Sequence, residues 1–371
     1  MSYKIIQASM YYIPIEGGQE TYIENLHRIL KESGYESLVV QQTRSFKSYP
    51  SHVKALLYIR GFFNRFISDP GWFQFNVALS LNRWFLSKAD VIVCHYPFHY
   101  PALRWHKRVI VLSHGVEWMN PPQKLSDRYR VHAMRMCWKD KPMIVANDTH
   151  FLRALGLDVQ PGNSEFQQIE RNVWYIPNCV DTTQFRPLDT ERKKVILVPR
   201  NIRKVRGIHL AIQAFHLFSL EQGEYQMWIA GIPLKGEYYD YCKKLVEELK
   251  LTNKVSFLGN VPWNSLVDYY NQSKLTLIPT IELEGTSLSA LESMACKTPV
   301  VSTDVAGLKD LPTLKAEVDP LSLSSKMLEI LRDWDYYSNS QYEAVTTTFN
   351  LNRWTDAWLN VIQTTLKQES I

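Results

Sequence analysis

The sequence predicts an α/β protein made of two doubly wound domains that face each other across a cleft. The chain has 371 residues, enough for two separate hydrophobic cores. Short β-rich runs alternate with helical patterns in both halves, which favours parallel sheets covered by helices on both faces. A polar stretch with two prolines, "IPNCVDTTQFRPLDTERKK" at residues 176–194, separates the halves. We expect ligands at the carboxyl ends of the strands.

The first half is expected to form an N-terminal domain over residues 1–180. It opens with a predicted strand at 3–8, followed by a loop carrying Gly17-Gly18 and then a helix. Apolar residues recur at helical spacing along that helix, as with Tyr22, Leu26 and Ile29. Further strands are predicted at 37–40, 91–94, 109–112 and 143–145.

The second half repeats the pattern as a C-terminal domain over residues 181–345. Strands are predicted at 195–198, 225–230, 255–258, 275–278 and 300–302, and helices at 208–220, 238–249, 265–272 and 286–295. Residues 346–371 are expected to form a C-terminal helix that packs back on the N-terminal domain.

Composition argues against several classes of protein. No run of about 18 uncharged apolar residues exists, so no membrane-spanning helix is expected. The first residues lack a basic segment followed by a clean apolar core, so we expect no signal peptide. The five cysteines are scattered and form no CxxC pair, which argues against a disulfide framework or a zinc cluster. A cytoplasmic protein is expected, which could lie peripherally on the inner face of a membrane.

Positive charge is concentrated in the first half. Residues 44–141 contain 16 basic and 5 acidic side chains, a net charge of +11, whereas the whole chain carries +5. Residues 181–371 contain 21 basic and 23 acidic side chains. This distribution predicts an acidic partner for the N-terminal domain.

The stretch "IELEGTSLSALESMACKTPVVSTDVAGL", residues 281–308, places two carboxylates eight residues apart, Glu284 and Glu292. Glu284 precedes the N-terminus of a predicted helix, where unpaired amides and the helix dipole attract an anion such as a phosphate. The three residues behind it are small and let a ligand approach, and Glu292 could accept two hydrogen bonds from a vicinal diol. Together these features suit a nucleotide sugar. The alternative is a carboxylate-capped helix with a solvated Glu292.

Several motifs, in chain order, resemble one known family. EGTSLSALESMA resembles the Glu-x7-Glu signature of the retaining GT-B glycosyltransferases of family four, and PVVSTDVAGL resembles the segment that follows it. VPRNIRKVRGIHLAIQAF resembles the strand that delivers an arginine and then a Lys-Gly pair, and SFLGNVPW resembles F-L-G-x-V. IPNCVDTTQFRP, IPIEGGQETYIENL and VLSHGVEW resemble the interdomain turn, the G-G-x-E loop and the strand ending in His-Gly. The resemblance runs from residue 13 to about residue 310 and implies the GT-B fold of two Rossmann-like domains.

The resemblance implies roles for the residues of the C-terminal motifs. Glu284 matches the carboxylate that holds hydroxyls of the donor hexose, and Glu292 matches the one that holds the ribose. Arg200 matches the family arginine and Arg206 stands where a lysine is usual, so both would stabilise charge on the leaving diphosphate. Lys204 is a substitute candidate, and a solvated basic loop is the alternative for all these bases. The expected donor-binding residues are Gly17, Gly18, Lys204, Gly259, Gly285, Thr286, Ser287, Leu288 and Glu292, and the expected catalytic residues are Glu284, Arg200, Arg206 and His114.

In the first domain the resemblance implies a loop over the phosphates and a histidine near the sugar. Gly17 and Gly18 match that loop, where glycine permits close backbone approach. His114 matches the histidine, and the alternative is a structural histidine at a strand end. Enzymes of this kind generally work without a divalent metal, and cationic side chains take the metal's place here. Neither a metal nor a cofactor is expected.

Residues 51–88 mix basic and aromatic side chains: Lys54, Arg60, Arg65, Arg83 and Lys88 with Phe62, Phe63, Phe66, Trp72, Phe73, Phe75, Trp84 and Phe85. Such a stretch can lie in a membrane interface, hold an anionic acceptor, or bind nucleic acid through phosphate contacts and stacking. It can equally be domain core with a solvated basic face. A membrane or lipid-linked acceptor is the leading functional interpretation, because the resemblance places the acceptor on the N-terminal domain.

The sequence therefore predicts a retaining, metal-independent hexosyltransferase of the EC 2.4 class. It would move a hexose from a nucleoside diphosphate sugar, UDP favoured over GDP, to a glycan or lipid-linked acceptor in cell-surface polysaccharide or glycoconjugate synthesis. The alternatives are a GT-B epimerase, which would isomerise its donor without an acceptor, and a phosphorylase, which would need pyridoxal phosphate on a lysine. A nucleic-acid-binding protein is a remote alternative that requires affinity falling steeply with salt, and no nucleic-acid partner is expected.

Overall fold

A computed structural model describes residues 2–15, 17–43, 48–57, 70–114, 125–162, 166–233 and 236–368. The N-terminal half forms an eight-stranded sheet with the order β3-β2-β1-β4-β5-β6-β8-β7. Its strands are β1 (Lys4–Ala8), β2 (Glu36–Thr43), β3 (Val53–Leu57), β4 (Val91–Cys94), β5 (Val109–Ser113), β6 (Met143–Ala146), β7 (Gln167–Glu170) and β8 (Val173–Tyr175). All neighbours pair in parallel except β7 with β8.

The C-terminal half forms a six-stranded parallel sheet with the order β11-β10-β9-β12-β13-β14. Its strands are β9 (Val195–Val198), β10 (Gln226–Ala230), β11 (Val255–Gly259), β12 (Leu275–Ile278), β13 (Val300–Thr303) and β14 (Leu314–Ala316). In both sheets the chain starts in the middle, winds outwards and then reverses direction. The reversal lies between β1 and β4 in one sheet and between β9 and β12 in the other, and such points open a crevice at the carboxyl ends of the strands.

Helices cover both faces of both sheets. In chain order they are α1 (Gly18–Glu32), α2 (Pro70–Leu81), α3 (Arg83–Leu86), α4 (Tyr100–Leu103), α5 (Leu125–Asp140), α6 (Thr149–Ala154), α7 (Ile208–Glu221), α8 (Glu237–Glu248), α9 (Leu266–Gln272), α10 (Leu288–Ala295), α11 (Pro320–Arg332), α12 (Trp334–Thr348) and α13 (Leu351–Lys367). Successive strand residues pack into separate hydrophobic cores on the two faces of the sheet. Ile196 packs with α7 on one face, and Leu197 packs with α10 on the other. Among the described residues, no helix is long and apolar enough to cross a bilayer.

The C-terminal helix returns to the N-terminal domain. Trp354 and Trp358 of α13 are fully buried in a core that includes Tyr22 and Leu26 of α1. The Trp358 indole N–H donates to the Tyr22 hydroxyl at 2.8 Å. Helix α12, which precedes it, runs on past residue 345, where the sequence suggests a domain boundary.

The differences between predicted and observed elements have local causes. The strands at 91–94, 195–198 and 275–278 match the prediction because each is a continuous buried apolar run. β7 is a polar edge strand and β14 contains a lysine, so neither carries the apolar signal that predicts a strand. The helix expected from residue 286 begins at Leu288, because the two preceding residues belong to a loop that contacts the other domain.

Candidate active site

The reversal point of the C-terminal sheet carries a buried cluster of charge. Arg200 follows β9 and Glu284 follows β12, and these two strands are neighbours. The Glu284 carboxylate is ion-paired with both Arg200 and Arg206. Only 7% of the Arg200 side chain and 10% of the Glu284 side chain are exposed. The carboxylate therefore lies between two cations at the position where such sheets bind ligands.

A glycine brings Arg206 to this point. Gly207 has a left-handed backbone with φ 69°, and a Cβ there would collide with the carbonyl oxygen of Pro279. The backbone of Ile281 also donates to the carbonyl of Val205 at 3.0 Å. These contacts join the loop after β9 to the loop after β12, so Arg206 reaches Glu284.

Lys204, the substitute candidate for the second cation, does not pair with Glu284. It lies two residues before Arg206 in the same 3-10 turn, and its side chain is exposed. The ion pairs of Glu284 within the described chain are those with Arg200 and Arg206. The second cation of the cluster is therefore an arginine with a planar, two-pronged guanidinium.

The N-terminus of α10 presents unpaired backbone amides beside this cluster. Ser287 is the N-cap residue, with an extended backbone and no side-chain capping bond. Within the described residues, the amides of Gly285, Thr286, Ser287 and Leu288 have no hydrogen-bond acceptor. Unpaired amides and the helix dipole at the start of a helix attract anions in general. Gly18 of the N-terminal domain lies against this helix start, because a Cβ on Gly18 would lie 3.3 Å from the Leu288 side chain.

Glu292 is buried, so the alternative of a helix with a solvated Glu292 is wrong. Its side chain lies among apolar neighbours and only 5% of the residue is exposed. Trp263 Nε1 donates to one carboxylate oxygen at 2.8 Å and the Tyr270 hydroxyl donates to the other at 2.9 Å. Burial raises the pKa of Glu292, and these two hydrogen bonds oppose that rise. Each oxygen keeps a lone pair, so Glu292 can still accept from a ligand diol.

Thr286 joins the loop before α10 to the N-terminal domain. Its hydroxyl donates to the Asn147 carbonyl at 3.0 Å and accepts from the Asn178 amide at 2.8 Å. The Asn178 side chain also donates to the Thr286 carbonyl. The hydroxyl of Thr286 is thus committed to interdomain contacts, and only its backbone amide is available to a ligand.

A pair of buried carboxylates forms a second interdomain contact. Asp310 accepts from the Thr149 amide at 2.7 Å and from the Thr149 hydroxyl at 2.6 Å, at the start of α6. Asp148 caps the same helix by accepting from the Phe151 amide at 2.7 Å. Burial raises the pKa of Asp148 to about 7, with Asp310 adding to the rise while the Phe151 amide and Arg153 oppose it.

Asp148→Asn should therefore flatten the dependence of stability on pH. Because the pKa of Asp148 is raised on folding, the native state binds more protons than the unfolded state between about pH 4 and pH 7. The free energy of unfolding consequently falls as pH rises through that window, and asparagine removes the fall while keeping the cap. Urea titrations from pH 4 to 8 should show the variant gaining stability relative to the wild type. A difference that is constant with pH would contradict this assignment.

His114 follows β5 and is half-buried. Its Nε2 lies 3.1 Å from Nδ1 of His95, and its ring meets Tyr22 edge to face at 5.2 Å. Burial lowers the pKa of His114 to about 3, so the ring is neutral at physiological pH. His114 is thus a neutral histidine at the cleft edge of the N-terminal sheet.

Two family models match the chain side by side. The model for Glycosyltransferase Family 4 matches residues 16–184, and the model for Glycosyl transferases group 1 matches residues 180–342. The chain belongs to the family 4 glycosyltransferases. The family inferred from the sequence motifs is confirmed.

Curated relatives of this family 4 glycosyltransferase match only part of the chain. An uncharacterized glycosyltransferase of Methanocaldococcus jannaschii is 32% identical over 152 residues, which are 39% of this chain and 37% of that protein. D-inositol 3-phosphate glycosyltransferase of Acidothermus cellulolyticus is 30% identical over 149 residues, 36% of this chain and 33% of that protein. The matched region spans roughly a third of the length of these relatives.

Solved structures match along nearly the whole chain. Sucrose-phosphate synthase from Thermosynechococcus elongatus has a TM-score of 0.79 at 18% identity, covering 97% of this chain and 98% of that one. Anabaena HepE, solved in complex with UDP and glucose, has a TM-score of 0.73 at 13% identity, covering 98% and 100%. At these identities the likeness shows the fold, and the predicted GT-B fold is confirmed.

Not every expected donor-binding residue of this glycosyltransferase lies in the charged cluster. Gly259 ends β11, which is two strands away from β9 and about 10 Å across the sheet at the usual strand spacing. It could face only a part of the ligand remote from the phosphates. Elsewhere in the described ranges, no three His, Cys, Asp or Glu side chains are grouped so as to hold a metal ion.

Several residues that contact Arg200, Glu292 or Thr286 were not predicted from the sequence. Thr280 accepts from Arg200 at 3.0 Å, Trp263 binds Glu292, and Asn178 anchors Thr286. Asn178 could have been found from its place in the interdomain turn. Trp263 and Thr280 carry no comparable signal, because an isolated tryptophan or threonine beside a strand is usual in any core.

Proposed function

We propose that this chain is a retaining glycosyltransferase that moves a hexose from a nucleoside diphosphate sugar, UDP favoured, to a glycan or lipid-linked acceptor. The observation that carries the proposal is the Glu284 carboxylate, held between Arg200 and Arg206 beside the free amides of α10. An anion site and a carboxylate in one crevice suit a ligand with a diphosphate at one end of a sugar.

The donor diphosphate would take over the partners that Glu284 occupies. Its oxygens would accept from the α10 amides and from both arginines, which frees the Glu284 carboxylate to accept from hexose hydroxyls. Glu292 would accept from the ribose hydroxyls with its remaining lone pairs. As the bond from the sugar to the phosphate breaks, the arginines stabilise the charge that builds on the leaving group. No metal is required for that charge in this scheme.

Retention of the anomeric configuration follows from front-face attack. The acceptor hydroxyl would arrive on the side from which the diphosphate leaves, and a phosphate oxygen would take its proton. The acceptor oxygen then bonds to the anomeric carbon while the phosphate keeps the bonding electron pair. In this scheme no side-chain nucleophile is needed.

The names of similar proteins support uridine nucleotides and surface glycans. HepE and TarM are solved with UDP, and HepE also with UDP-glucose. Curated relatives include putative colanic acid glycosyltransferases of Escherichia coli and Salmonella typhimurium and an amylovoran biosynthesis glycosyltransferase of Erwinia amylovora. We extend these associations to the present chain as part of the proposal.

Ligand-dependent thermal stability tests the donor proposal directly. UDP and UDP-hexoses should raise the melting temperature by several degrees at saturating concentration, and GDP should raise it less, because a ligand that binds only the folded state stabilises it. A panel of nucleoside diphosphates that leaves the melting temperature unchanged would refute the proposal. An epimerase would interconvert two UDP-hexoses without an acceptor, and a phosphorylase would require pyridoxal phosphate, so product analysis separates both alternatives.

The basic region of the N-terminal domain, within residues 44–141, also exposes apolar side chains. Leu81 at the end of α2 is 80% exposed and Trp84 in α3 is 76% exposed, whereas Trp72 and Phe75 of the same segment are core residues. The Lys88 ammonium lies 3.6 Å from the centre of the Trp84 ring. The expected basic and aromatic residues Arg60, Arg65, Phe62, Phe63 and Phe66, and also Lys124, lie outside the described residues.

We propose that Leu81, Trp84 and Lys88 contact an anionic membrane that presents the acceptor. An exposed tryptophan with a lysine against it suits an interface, and each basic residue contributes roughly 1 kcal/mol towards an anionic surface. The double variant Leu81→Ser and Trp84→Ala should lose most co-sedimentation with anionic vesicles, and wild-type binding should weaken with salt. Leu220→Ser is a matched control, since Leu220 is 72% exposed on α7 in the other domain. Equal binding by the double variant and wild type would contradict the proposal.

A further inference from the structure

A line of polar side chains starts inside the N-terminal sheet and ends at the cleft. It runs from Gln7 in β1, through His95 after β4, to His114 after β5. Gln7 and His95 are completely buried. Gln7 Oε1 lies 2.9 Å from His95 Nε2, and His95 Nδ1 lies 3.1 Å from His114 Nε2. The two imidazole planes are within 9° of each other and their centroids are 5.4 Å apart, a separation that fits two rings joined end to end by this bond.

Gln7 sets the direction of these hydrogen bonds. Its Nε2 donates to the Ile23 carbonyl at 3.4 Å, which leaves Oε1 facing His95, and a carbonyl oxygen can only accept. His95 therefore carries a proton on Nε2. Burial and the adjacent His114 lower the pKa of His95, so the ring is neutral and its Nδ1 has a lone pair. His114 must then donate to it from Nε2.

This order leaves Nδ1 of His114 as an acceptor. The His114 ring is neutral and its single proton is on Nε2, so Nδ1 carries a lone pair. Nδ1 has no hydrogen-bond partner in the described part of the chain. Because His114 is only half-buried and lies at the end of β5, this lone pair is left for a ligand at the cleft edge.

Strand register places this acceptor near the loop before α10, which the proposed function places against the phosphates. Ser113 pairs with Ala146 across β5 and β6, so His114 and Asn147 follow on neighbouring strands about 5 Å apart. The Asn147 backbone carbonyl accepts from Thr286, and a Cβ on Gly285 would lie 3.0 Å from the end of the Asn147 side chain. His114 is thus one strand away from the anion site.

We propose that Gln7 and His95 are positioning residues that hold His114 as a hydrogen-bond acceptor, so that the sugar presents a neutral hydroxyl there and not a carboxylate. A carboxylate brings no proton to the Nδ1 lone pair and would bury a charge without a partner, whereas a hydroxyl donates directly. That the ligand at His114 is a sugar rests on the proposed function. The order of protons along Gln7, His95 and His114 is independent of it.

The proton order can be measured without any substrate. Nitrogen NMR of the full chain with 15N-labelled histidine distinguishes protonated from bare ring nitrogens, and the spectrum of His114→Gln assigns the signals of that residue. His114 should show a protonated Nε2 and a bare Nδ1. Gln7→Met keeps the volume but removes the acceptor, so the His114 signals should shift towards a mixture of tautomers. A proton on Nδ1 in the wild type, or His114 signals unchanged in Gln7→Met, would overturn the inference.

The preference for a neutral sugar over one with a carboxylate tests whether His114 acts as a hydrogen-bond acceptor. The affinities of UDP-glucose and UDP-glucuronic acid are each measured relative to UDP, and the wild type should prefer the neutral sugar by about tenfold, the effect of one hydrogen bond. Gln7→Glu places a carboxylate against His95, which favours a second proton at its Nδ1 and moves the His114 proton to Nδ1. The preference for the neutral sugar should then shrink or reverse, while the affinity for UDP itself is unchanged.

Gln341→Glu is the matched control for Gln7→Glu. Gln341→Glu introduces a carboxylate at a buried glutamine of α12, where Gln341 accepts from the Val300 amide at 2.7 Å, and it should keep the wild-type preference. An unchanged preference in both Gln7→Glu and Gln7→Met would overturn the role of Gln7. A chain that binds no UDP would refute the proposed function instead, and the NMR result would still decide the proton order.

Discussion

Glu284→Gln is expected to abolish sugar transfer while leaving UDP bound at least as tightly as in the wild type. In the structure the Glu284 carboxylate occupies Arg200 and Arg206, which are the groups that the proposed diphosphate would need. Removing the charge takes away this competitor, so binding of the nucleotide should not suffer. Transfer should fall by at least about a hundredfold, because a preorganised anchor for the reacting sugar is lost.

The alanine variant separates stability from chemistry. Burial lowers the pKa of Arg200 to about 10, because the buried guanidinium is poorly solvated. Breaking one side of a buried ion pair costs about 3–5 kcal/mol in general, so both variants should melt below the wild type. Glutamine keeps an oxygen that can accept from the arginines, so Glu284→Ala should fold but melt at a lower temperature than Glu284→Gln. UDP should stabilise it strongly by supplying the missing negative charge.

The measurements for this position are transfer rate, UDP affinity by calorimetry and melting temperature. Glu282→Gln is the matched control, since Glu282 lies in the same loop and its side chain is exposed. The control should keep wild-type transfer and wild-type UDP affinity. Wild-type turnover in Glu284→Gln would remove the central residue from the proposal.

Arg200→Ala is the second change with a large expected effect. Arg200 is 8% exposed and holds Glu284, Thr280 and Ser287 together at the reversal point of the sheet. Loss of a preorganised cation beside a leaving diphosphate should lower the transfer rate on the order of a hundredfold or more. Arg200→Lys should recover little of it, because an ammonium lacks the planar fork that reaches several partners at once.

Arg203→Ala is the control for this position. Arg203 lies in the same loop and is exposed, so its loss should leave transfer near the wild-type rate. Transfer should also persist in EDTA, as expected if the arginines carry the charge of the leaving group. A strict requirement for an added divalent metal, or equal rates for Arg200→Ala and Arg203→Ala, would contradict the proposed role of Arg200.

The elements at the site follow from local sequence. The runs Val195–Val198 and Leu275–Ile278 are apolar at every position or nearly so, and burial on both faces of a parallel sheet demands such runs. A proline and small residues after Ile278 end the strand and prepare a helix start. The place of Glu284 just before a helix start was therefore predictable from local sequence, whereas Arg200 was singled out by the family resemblance, and the roles of both residues stay predictions.

Contacts between distant segments were not readable in this way. Lys204 and Arg206 are equivalent as charges in the sequence, and it is the left-handed turn at Gly207 against Pro279 that brings the arginine to Glu284. Trp72 and Trp84 are equally aromatic, but one faces the core and the other faces solvent. Helical spacing alone could not separate them, because Trp72 lies on α2 and Trp84 on α3, and packing against the rest of the domain decides which side of each helix is buried.

The sequence motifs and their resemblance to a known family were sufficient for the family and the two-domain α/β architecture, and they predicted an anion site beside a carboxylate. Their signals are local, since periodicity, turn residues and helix starts depend on neighbours in the chain. Tertiary packing determines the partners: Glu292 contacts Trp263 and Tyr270 within the C-terminal domain, and Thr286 contacts Asn147 and Asn178 of the N-terminal domain. These contacts join residues 22 to 139 positions apart, so packing within the C-terminal domain and contact between the two domains, and no local pattern, determine which groups meet.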